Sequence, residues 1–501
     1  MGVKPASNPQ HYLQQAMQLH QAGEIDRAMQ MYRDVLAKEP GQADALHLLG
    51  AAHWQKGELD EGEKLIRRAI KIWDKSAGYF ADLGGVLKQI GELVAAIAEY
   101  KKALALDPNL ANARKGLAES LGRHGHDLAK EFQWEESEAA YRQYLEMRPG
   151  DAGALNNLAE IYHHAGDRET ALSLYNEALQ AQPGLHIARF NRAICLLGMN
   201  RLKEGWADME ASKSDWINRM DKRKGLPWLA LPLWDGSDLC GKKILIWGDQ
   251  GIGDEVLYAG MFSDLLACGA QVTVECMDRL VPIFARSFPE ITVMVRSTHI
   301  MMSADFDFHS PYMWLSRFFR HDFAQFPARR GYLKADPEKT EMLRARYRAY
   351  GKPRIVGISW HTSTGGRGTA RRMSLLDLAK VLPKDRLYVD LQYGDTAAER
   401  TEAARALPDF VLHHDTDVDQ LKDMDIYAAQ VVACDEVVTI GNTTAHMAGS
   451  LGIPSQVFLP IAGLTWFWFE KLEKCPWYPS VRLLRKEQEG DWDAALGKVK
   501  D

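Results

Sequence analysis

Three loops in the carboxy-terminal half combine glycine with charged or hydroxyl side chains directly after apolar runs. The first is GDQGIGDE, residues 248–255, which follows the run KKILIW. Gly251 and Gly253 permit a tight turn and the close approach of a ligand, while Asp254 and Glu255 fall in the first turn of the following helix. A helix start with favourable acidic residues is the alternative. The loop is not a dinucleotide-binding fingerprint, because a valine stands at the third glycine position.

The second loop is rich in arginine. SWHTSTGGRGTARRMS, residues 359–374, joins glycines and hydroxyl side chains to three arginines. One guanidinium group can bind two phosphate oxygens at once. The loop therefore predicts a phosphate contact, and a solvated basic loop is the alternative.

The third loop is GNTTAH, residues 441–446, between the apolar run EVVTI and a helical segment. N–H groups at the amino end of a helix can receive an anion, so residues 443–446 form a candidate anion site. A threonine-capped helix with a buried histidine is the alternative. Open α/β sheets bind ligands beyond the carboxyl ends of their strands, which is where all three loops fall.

Alternating strands and helices must position these loops. KKILIW, AQVTVEC and ITVMV read as strands, with FDFHSP as a strand or loop. A helical segment from about 339 to 350 precedes a second series of strands, RIVGISW, RLYVDLQYG, FVLHH, EVVTIGN and SQVFLP. This alternation is typical of parallel sheets and predicts two α/β lobes with a cleft between them.

The amino-terminal half shows a different period. Pro149 and Pro183 are 34 residues apart, and Pro40 and Pro108 are twice that distance apart. Small, turn and aromatic residues recur with the same spacing, which is the tetratricopeptide signature. The clean repeats are 9–42, 43–76, 77–110 and 152–185. The 41-residue interval from Pro108 to Pro149 predicts a lengthened turn inside the fourth repeat, and the unit after His186 predicts an incomplete capping repeat.

Repeat arrays of this kind usually bind a peptide along the concave face. The candidate acceptor-binding residues are Trp54, Lys88, Asn156, Asn157 and Asn191, with His47, Lys115, Glu119 and His163 beside them. Asn157 and Asn191 occupy equivalent positions one repeat apart and are candidates for holding a peptide backbone. For each residue, a solvated helix face is the alternative.

Composition narrows the classes of function. The net charge of −6 is spread evenly along the chain, which argues against a nucleic-acid partner. Apolar stretches are too short to span a bilayer, and the amino terminus carries no apolar secretion signal. Six cysteines without a C-x-x-C pair indicate neither a disulfide framework nor a zinc site. We expect a cytoplasmic protein without a membrane partner.

The carboxy-terminal motifs, taken in order, carry a family resemblance. They are WDGSDLCGKKILI, GDQGIGDE, VGISW with RRMSL, LQYGD, NTTAHMAGSLG and CPWYPSVRL. Together they resemble the glycosyltransferase-like domain that many bacteria fuse to tetratricopeptide repeats, which is similar to the two-lobed (GT-B type), metal-independent heptosyltransferase family. The implied domains are a repeat array at 9–212, a linker at 213–241, a first lobe at 242–345 and a nucleotide-sugar-binding lobe at 346–501.

The resemblance also implies roles for single residues. Asp254 matches the general base that deprotonates an acceptor hydroxyl, beside Gly251 and Gly253. The remaining matches concern the donor. Arg371 or Arg372, together with Ser374, would neutralise its diphosphate. The same phosphates would be held by Asn442, Thr443, Thr444 and His446, and the nucleotide side of the cleft would be lined by Gln392. No metal and no cofactor are implied, because the nucleotide-sugar is a co-substrate.

The resulting hypothesis is an inverting protein O-glycosyltransferase whose repeats hold a protein acceptor, with flagellin as one candidate. One departure weakens the match: family members commonly carry an aspartate where this chain has Gly441. The alternative is therefore a tetratricopeptide scaffold whose transferase-like domain is inactive. A third hypothesis keeps the enzyme but gives it a lipid-linked saccharide acceptor, although the chain shows no basic amphipathic helix for docking on a membrane.

Overall fold

A computed structural model describes residues 9–213, 231–248, 251–296, 306–362, 371–487 and 492–499. The chain divides into two compact units, Met1–Ile161 and Tyr162–Asp501. Within the described residues the first half is helical throughout. Its helices are α1 (Pro9–Gln21), α2 (Ile25–Lys38), α3 (Ala43–Gln55), α4 (Leu59–Ile72), α5 (Ala77–Ile90), α6 (Leu93–Leu106), α7 (Ala111–Lys130), α8 (Trp134–Met147), α9 (Ala152–Ala165), α10 (Arg168–Ala181), α11 (His186–Gly198) and α12 (Leu202–Ala211).

Small residues let neighbouring helices of the first unit approach closely. The buried ring of Tyr100 in α6 lies between Gly84 of α5 and Gly116 of α7. A Cβ atom would come within 2.9 Å of this ring at Gly84 and within 2.3 Å at Gly116. The recurring pattern of small and aromatic residues therefore reflects packing between repeats, as the sequence predicted.

The prediction of a lengthened turn in the fourth repeat is wrong. The seven extra residues extend the first helix of that repeat, because α7 is 20 residues long where most neighbouring helices have 13 or 14. Seven residues make two helical turns, so the added stretch keeps the same buried face. Gly125 in this stretch packs against the ring of Tyr141, and its carbonyl accepts a 2.7 Å hydrogen bond from the Ser137 hydroxyl.

The second unit contains the end of α9, helices α10–α12 and the α/β elements. The strands are β1 (Lys243–Trp247), β2 (Gln271–Cys276), β3 (Thr292–Val295), β4 (Phe308–Pro311), β5 (Ile355–Ser359), β6 (Leu387–Asp390), β7 (Val411–His413), β8 (Glu436–Ile440), β9 (Ser455–Leu459), β10 (Lys474–Cys475) and β11 (Tyr478–Arg485). The helices are α13 (Ile252–Tyr258), α14 (Phe262–Ala267), α15 (Val281–Ser287), α16 (Ser316–Phe319), α17 (Pro337–Arg348), α18 (Leu375–Val381), α19 (Ala397–Ala406), α20 (Met424–Ala433), α21 (Thr443–Ser450) and α22 (Asp493–Leu496).

Two sheets, one in each lobe, confirm the predicted α/β class. The first has the order β3–β2–β1–β4 with every pairing parallel. The second has the order β10–β11–β9–β8–β5–β6–β7 and is parallel except for the short β10. Strand β11, which pairs with β9, was not predicted as a strand.

The strand orders identify where a ligand is expected. In the first sheet, β2 and β3 lie on one side of β1, and β4 lies on its other side. In the second sheet, β6 and β7 lie on one side of β5, and β8 lies on its other side, so the strand order reverses between β5 and β8. Ligands of open α/β sheets bind at such reversals, outside the carboxyl ends of the strands. The loops after β1, β5 and β8 are the three loops selected from the sequence.

The last helices of the repeats share the core of the second unit. Leu197, Trp206 and Met209 belong to one buried cluster with residues of both sheets. The predicted linker 213–241 falls largely on 214–230, outside the described residues, and the domain boundaries stay a prediction. Among the described helices, none is long and apolar enough to cross a membrane.

Candidate active site

The glycine loop after β1 presents Asp254 at the start of α13. Gly251 is the residue that precedes the helix, and its N–H donates a 3.2 Å hydrogen bond to Oδ2 of Asp254. The Asp254 side chain is half-buried. Residues 249 and 250 of this loop lie outside the described part of the chain.

Gly253 brings the loop of the first lobe against the second lobe. A Cβ atom on Gly253 would lie 3.2 Å from Cδ2 of His446 and 3.6 Å from the Thr443 hydroxyl oxygen. The first turn of α13 therefore packs directly on the first turn of α21. Two of the three candidate loops meet at this contact.

Arg371 joins the same site from the loop after β5. Its guanidinium donates to the carbonyl oxygens of Gly441 and Gly463, each at 3.3 Å. Burial lowers the pKa of Arg371, and the nearby carboxylate of Asp254 partly offsets this effect. A cation and a carboxylate from different lobes are thus held within electrostatic reach of each other.

The amino end of α21 retains two backbone donors. Asn442 precedes the helix, and its oxygens accept from the N–H groups of Ala445 and His446. The N–H groups of Thr443 and Thr444 donate to no described residue. Of the four N–H groups expected to form the anion site, those of Ala445 and His446 are therefore engaged by Asn442, and those of Thr443 and Thr444 are the ones left to bind an anion.

His446 is buried in an aromatic setting. Its ring stacks on Trp468 at 5.0 Å between centroids and lies edge-on to Phe467. Its Nδ1 atom is 3.0 Å from the Tyr478 hydroxyl. Burial, together with the nearby Arg371, lowers the pKa of His446 to about 3. The imidazole is neutral at physiological pH, so it contributes no positive charge to the candidate anion site.

We expect His446 to stay neutral at pH 5, where exposed histidines are protonated. Because its folded pKa lies below that of the unfolded chain, its contribution to stability is complete above about pH 6.5 and is lost as the pH falls toward 3. Nitrogen NMR shifts of labelled imidazoles, assigned with His446→Gln, measure the charge directly. An imidazolium at position 446 at pH 5.5 would contradict the buried geometry.

Gln392 lies at the site, but its amide is engaged by backbone groups and by the side chain of Ser359. Its Oε1 accepts from the Ser359 hydroxyl at 2.9 Å and from the N–H groups of Trp360 and His361 at 3.0 Å. The Ser359 hydroxyl in turn accepts from Nδ2 of Asn442 at 2.8 Å. This buried network holds together the carboxyl ends of β5, β6 and β8. Ser359 is a member that sequence reasoning did not select, although it closes the quoted VGISW motif.

Other candidates of the second lobe point elsewhere. Arg372 is exposed, and its Nε donates to the carbonyl of Thr362 at 3.3 Å. Ser374 is the residue that precedes α18, and its hydroxyl accepts from two N–H groups of that helix. Thr444 faces inward and accepts from the Tyr427 hydroxyl at 2.8 Å. Of the adjacent arginines, Arg371 is therefore the one that contacts the loop before α21; residues 363–370 lie outside the described residues.

The sequence analysis assigned no role to Glu255, which is almost fully buried behind Asp254. Burial raises its pKa to about 7, while the N–H of Met277 at 2.9 Å and the guanidinium of Arg296 oppose this. Gly248 leaves room for this ion pair, because a Cβ atom there would collide with both side chains. Glu255 anchors the start of α13 and so fixes the direction of its neighbour Asp254.

Trp468 explains the absence of a side chain at position 441. A Cβ atom on Gly441 would lie 2.9 Å from Cδ2 of Leu459 and 3.2 Å from Nε1 of Trp468. The space that an aspartate would occupy is filled by these side chains. The aromatic residues near the end of the chain, Trp466, Trp468, Trp477 and Tyr478, are all buried and belong to the core.

The predicted groove residues of the first unit make contacts between or within repeats. Trp54 donates to Oε1 of Gln89 at 2.8 Å, and Lys88 donates to Glu119 at 2.6 Å. Asn157 donates to the Tyr141 hydroxyl at 2.9 Å and accepts from the buried Asn156. In the second unit, Asn191 is half-buried in α11. Their role in binding an acceptor stays a prediction.

Comparison with known families confirms the repeat period. Models described as "Tetratricopeptide repeat" match residues 19–79 and 123–186, and one described as "TPR repeat" matches 84–125. The chain carries a tetratricopeptide array. The array occupies the same residues as the helical pairs described above, and it precedes the two parallel sheets.

Several proteins are similar to this tetratricopeptide chain. Protein FlbA of Caulobacter vibrioides is 27% identical over 99% of this chain and 90% of its own length. A barley (Hordeum vulgare) protein named "Probable UDP-N-acetylglucosamine--peptide N-acetylglucosaminyltransferase SPINDLY" is 28% identical, but the match covers 31% of this chain and 16% of that protein. The crystal structure of YrrB, "a TPR protein with an unusual peptide-binding site", is 25% identical over 35% of this chain and 88% of its own, with a TM-score of 0.29.

Proposed function

We propose that this protein is an inverting glycosyltransferase that moves a sugar from a nucleotide-sugar donor to a Ser or Thr hydroxyl of a protein acceptor. The observation that carries the proposal is that the loops of Asp254 and Arg371 meet at the start of α21, where Gly253 packs against His446 and Arg371 donates to the carbonyl of Gly441. Each loop lies beside a strand-order reversal of its own sheet. A carboxylate can accept a proton, and a guanidinium can bind a phosphate. Their proximity suits a transfer in which both events occur together.

In the proposed reaction, Asp254 accepts the proton of the acceptor hydroxyl. The hydroxyl oxygen attacks the anomeric carbon, a new glycosidic bond forms, and the bond from that carbon to the nucleotide phosphate breaks with inversion. The leaving nucleotide takes the bonding electron pair as negative charge. Arg371 and the N–H groups of Thr443 and Thr444 would stabilise that charge. The proposed step needs no metal ion and no cofactor.

A neighbouring cavity offers room for the nucleoside. It has a volume of about 270 Å³ and lies beyond the carboxyl ends of β6 and β7. Gln392 and Tyr393 line one side, and His414, Gln420 and Tyr427 line others. Because the amide of Gln392 is engaged by the backbone, we assign it the role of shaping this cavity rather than reading the base.

The repeats would supply the acceptor site. The relative named SPINDLY is described as acting on peptides, which supports a peptide or protein acceptor for this chain. Flagellin is one proposed acceptor, and the cytoplasm is the proposed compartment. With the acceptor held by the array, the two lobes would need to recognise only the reacting side chain and the donor.

Calorimetric titration of the full chain with UDP, GDP, ADP, CDP and CMP tests the proposal. We expect micromolar binding of one nucleotide, which would name the donor class. The matching labelled nucleotide-sugar should then modify a protein in an extract from cells that lack the gene. If folded protein binds none of the five nucleotides, the donor assignment is wrong.

One observation favours a second candidate function. Trp468 and Leu459 fill the space beside Gly441 where related domains carry an acid. A site altered in this way would also suit a tetratricopeptide scaffold without transferase activity. Absence of nucleotide binding, together with capture of a protein partner by the repeats, would support the scaffold.

A further inference from the structure

One segment of the second unit joins the last complete repeat to the candidate active site. We call residues 460–471, which follow β9, the bridging segment. Its backbone donates twice to the repeats: the N–H of Gly463 to the carbonyl of His164 at 2.8 Å, and the N–H of Glu470 to the carbonyl of Gly198 at 2.9 Å. His164 lies in the last turn of α9, the first helix of this repeat, and Gly198 ends α11.

A buried ion pair strengthens this contact. The side chain of Arg168, at the start of α10, is 3% exposed. Its guanidinium binds the carboxylate of Glu470 and donates to the carbonyl of Leu464 at 2.9 Å. Removing one partner of a buried pair leaves an uncompensated charge, which is strongly unfavourable. Arg168 therefore holds the bridging segment at two points, Leu464 and Glu470.

The opposite side of the same segment contacts the site. The carbonyl of Gly463 accepts from Arg371, and Trp468 stacks on His446. The hydrogen bond from its N–H to the repeat thus fixes the position of Gly463, and the hydrogen bond to its carbonyl fixes the guanidinium of Arg371. Among the described residues, Gly463 is the one residue that is hydrogen-bonded both to a carbonyl of the repeats and to the guanidinium of Arg371.

We propose that Gly166 and Arg168 are positioning residues for Arg371, and that they act through the bridging segment. The last complete repeat would then hold the guanidinium in the orientation that binds the donor phosphates. This inference rests on the proposed function for its effect on binding, but the positional link itself can be measured without a ligand.

The turn glycines of the repeats provide a matched pair of variants. Gly166 has φ +92°, and a Cβ atom there would lie 2.8 Å from Cγ2 and 2.9 Å from the carbonyl oxygen of Ile461 in the bridging segment. Gly57 occupies the same turn of an earlier repeat with φ +80°, and nothing lies within 4 Å of its Cβ position. Alanine at either position strains the backbone alike, but only Gly166→Ala displaces the bridging segment.

The experiment compares the full-length wild type, Gly166→Ala and Gly57→Ala in three measurements. These are amide exchange at Gly463 and Glu470, the fluorine NMR signal of 5-fluorotryptophan at Trp468, and affinity for the nucleoside diphosphate selected by the titration. We expect Gly166→Ala to speed exchange about tenfold, to shift the Trp468 signal, and to weaken binding about tenfold. Gly57→Ala should lower the thermal midpoint and leave all three measurements unchanged. Trp468→Phe assigns the signal.

Glu470→Gln is the second variant, because it keeps the shape of the side chain while removing its charge. It should change the same measurements in the same direction if Gly166→Ala does not fold. The positioning role is wrong if the segment loosens while Trp468 and nucleotide affinity are unchanged, or if Gly57→Ala has the same effects. If exchange and the Trp468 signal respond but wild type binds no nucleotide, the proposed function fails and the positional link stands.

Discussion

Replacing Asp254 with asparagine is expected to lower kcat for sugar transfer by about 10²- to 10⁴-fold, the usual contribution of a general base. An amide cannot accept the hydroxyl proton, but its oxygen can still accept from the N–H of Gly251, which now donates to Asp254 at 3.2 Å. The helix start should therefore survive, and the loss should fall on the chemical step. Initial rates at saturating donor and acceptor measure this effect.

Asp238→Asn is the matched control for this variant. The exposed Asp238 also accepts a backbone hydrogen bond, from the N–H of Cys240 at 3.0 Å, but it lies outside the site. Its variant should transfer at the wild-type rate. If Asp254→Asn transfers equally fast while nucleotide affinity and thermal midpoint are normal, another group removes the proton.

Removing the guanidinium of Arg371 should weaken binding of the nucleoside diphosphate by about 1.5 to 3 kcal/mol, the range for a hydrogen bond to a charged group. Arg371 lies between the loops after β8 and β9, where its charge interacts with that of Asp254. Arg371→Lys should recover part of the affinity, since it restores the charge without the paired N–H groups. Calorimetry gives both values.

Arg372→Ala controls for the loss of a positive charge from the same loop. Arg372 is exposed and donates only to the carbonyl of Thr362 among the described residues. Its removal should change affinity by less than about 0.5 kcal/mol, as for most surface substitutions. Equal losses from the two variants would show that the loop acts by net charge, and a larger loss from Arg372→Ala would reverse the assignment.

Much of the architecture could be predicted because it rests on local patterns. A helical repeat must place small residues wherever a neighbouring helix approaches, so Gly50 and Gly84, where a Cβ atom would collide with Ile66 and Tyr100, recur with the 34-residue period. The one error in the array, at residues 122–130, has a clear cause. The seven extra residues between Pro108 and Pro149 suggested a lengthened turn, but burial of Gly125 against Tyr141 keeps this stretch helical. Packing outweighed local propensity there.

Site chemistry was less predictable, because a side chain can serve either a ligand or its own backbone. Ser374 has a residue type that suits phosphate, yet its hydroxyl binds the N–H groups of α18. Gln392 likewise holds the strand ends together. Nothing in the local sequence distinguishes these uses, since both place a polar group after a strand.

By itself, the sequence determined the repeat array, the two parallel sheets and the loops at the strand ends, because hydrophobic and glycine periods are set by neighbours a few residues apart. Tertiary structure alone decided that Arg371 rather than Arg372 lies near Asp254. It also decided that Trp468 fills the space beside Gly441 and that Arg168 holds the bridging segment. These contacts join residues up to about 300 positions apart in the sequence. They form only when the chain packs, because packing determines which buried polar groups become hydrogen-bond partners.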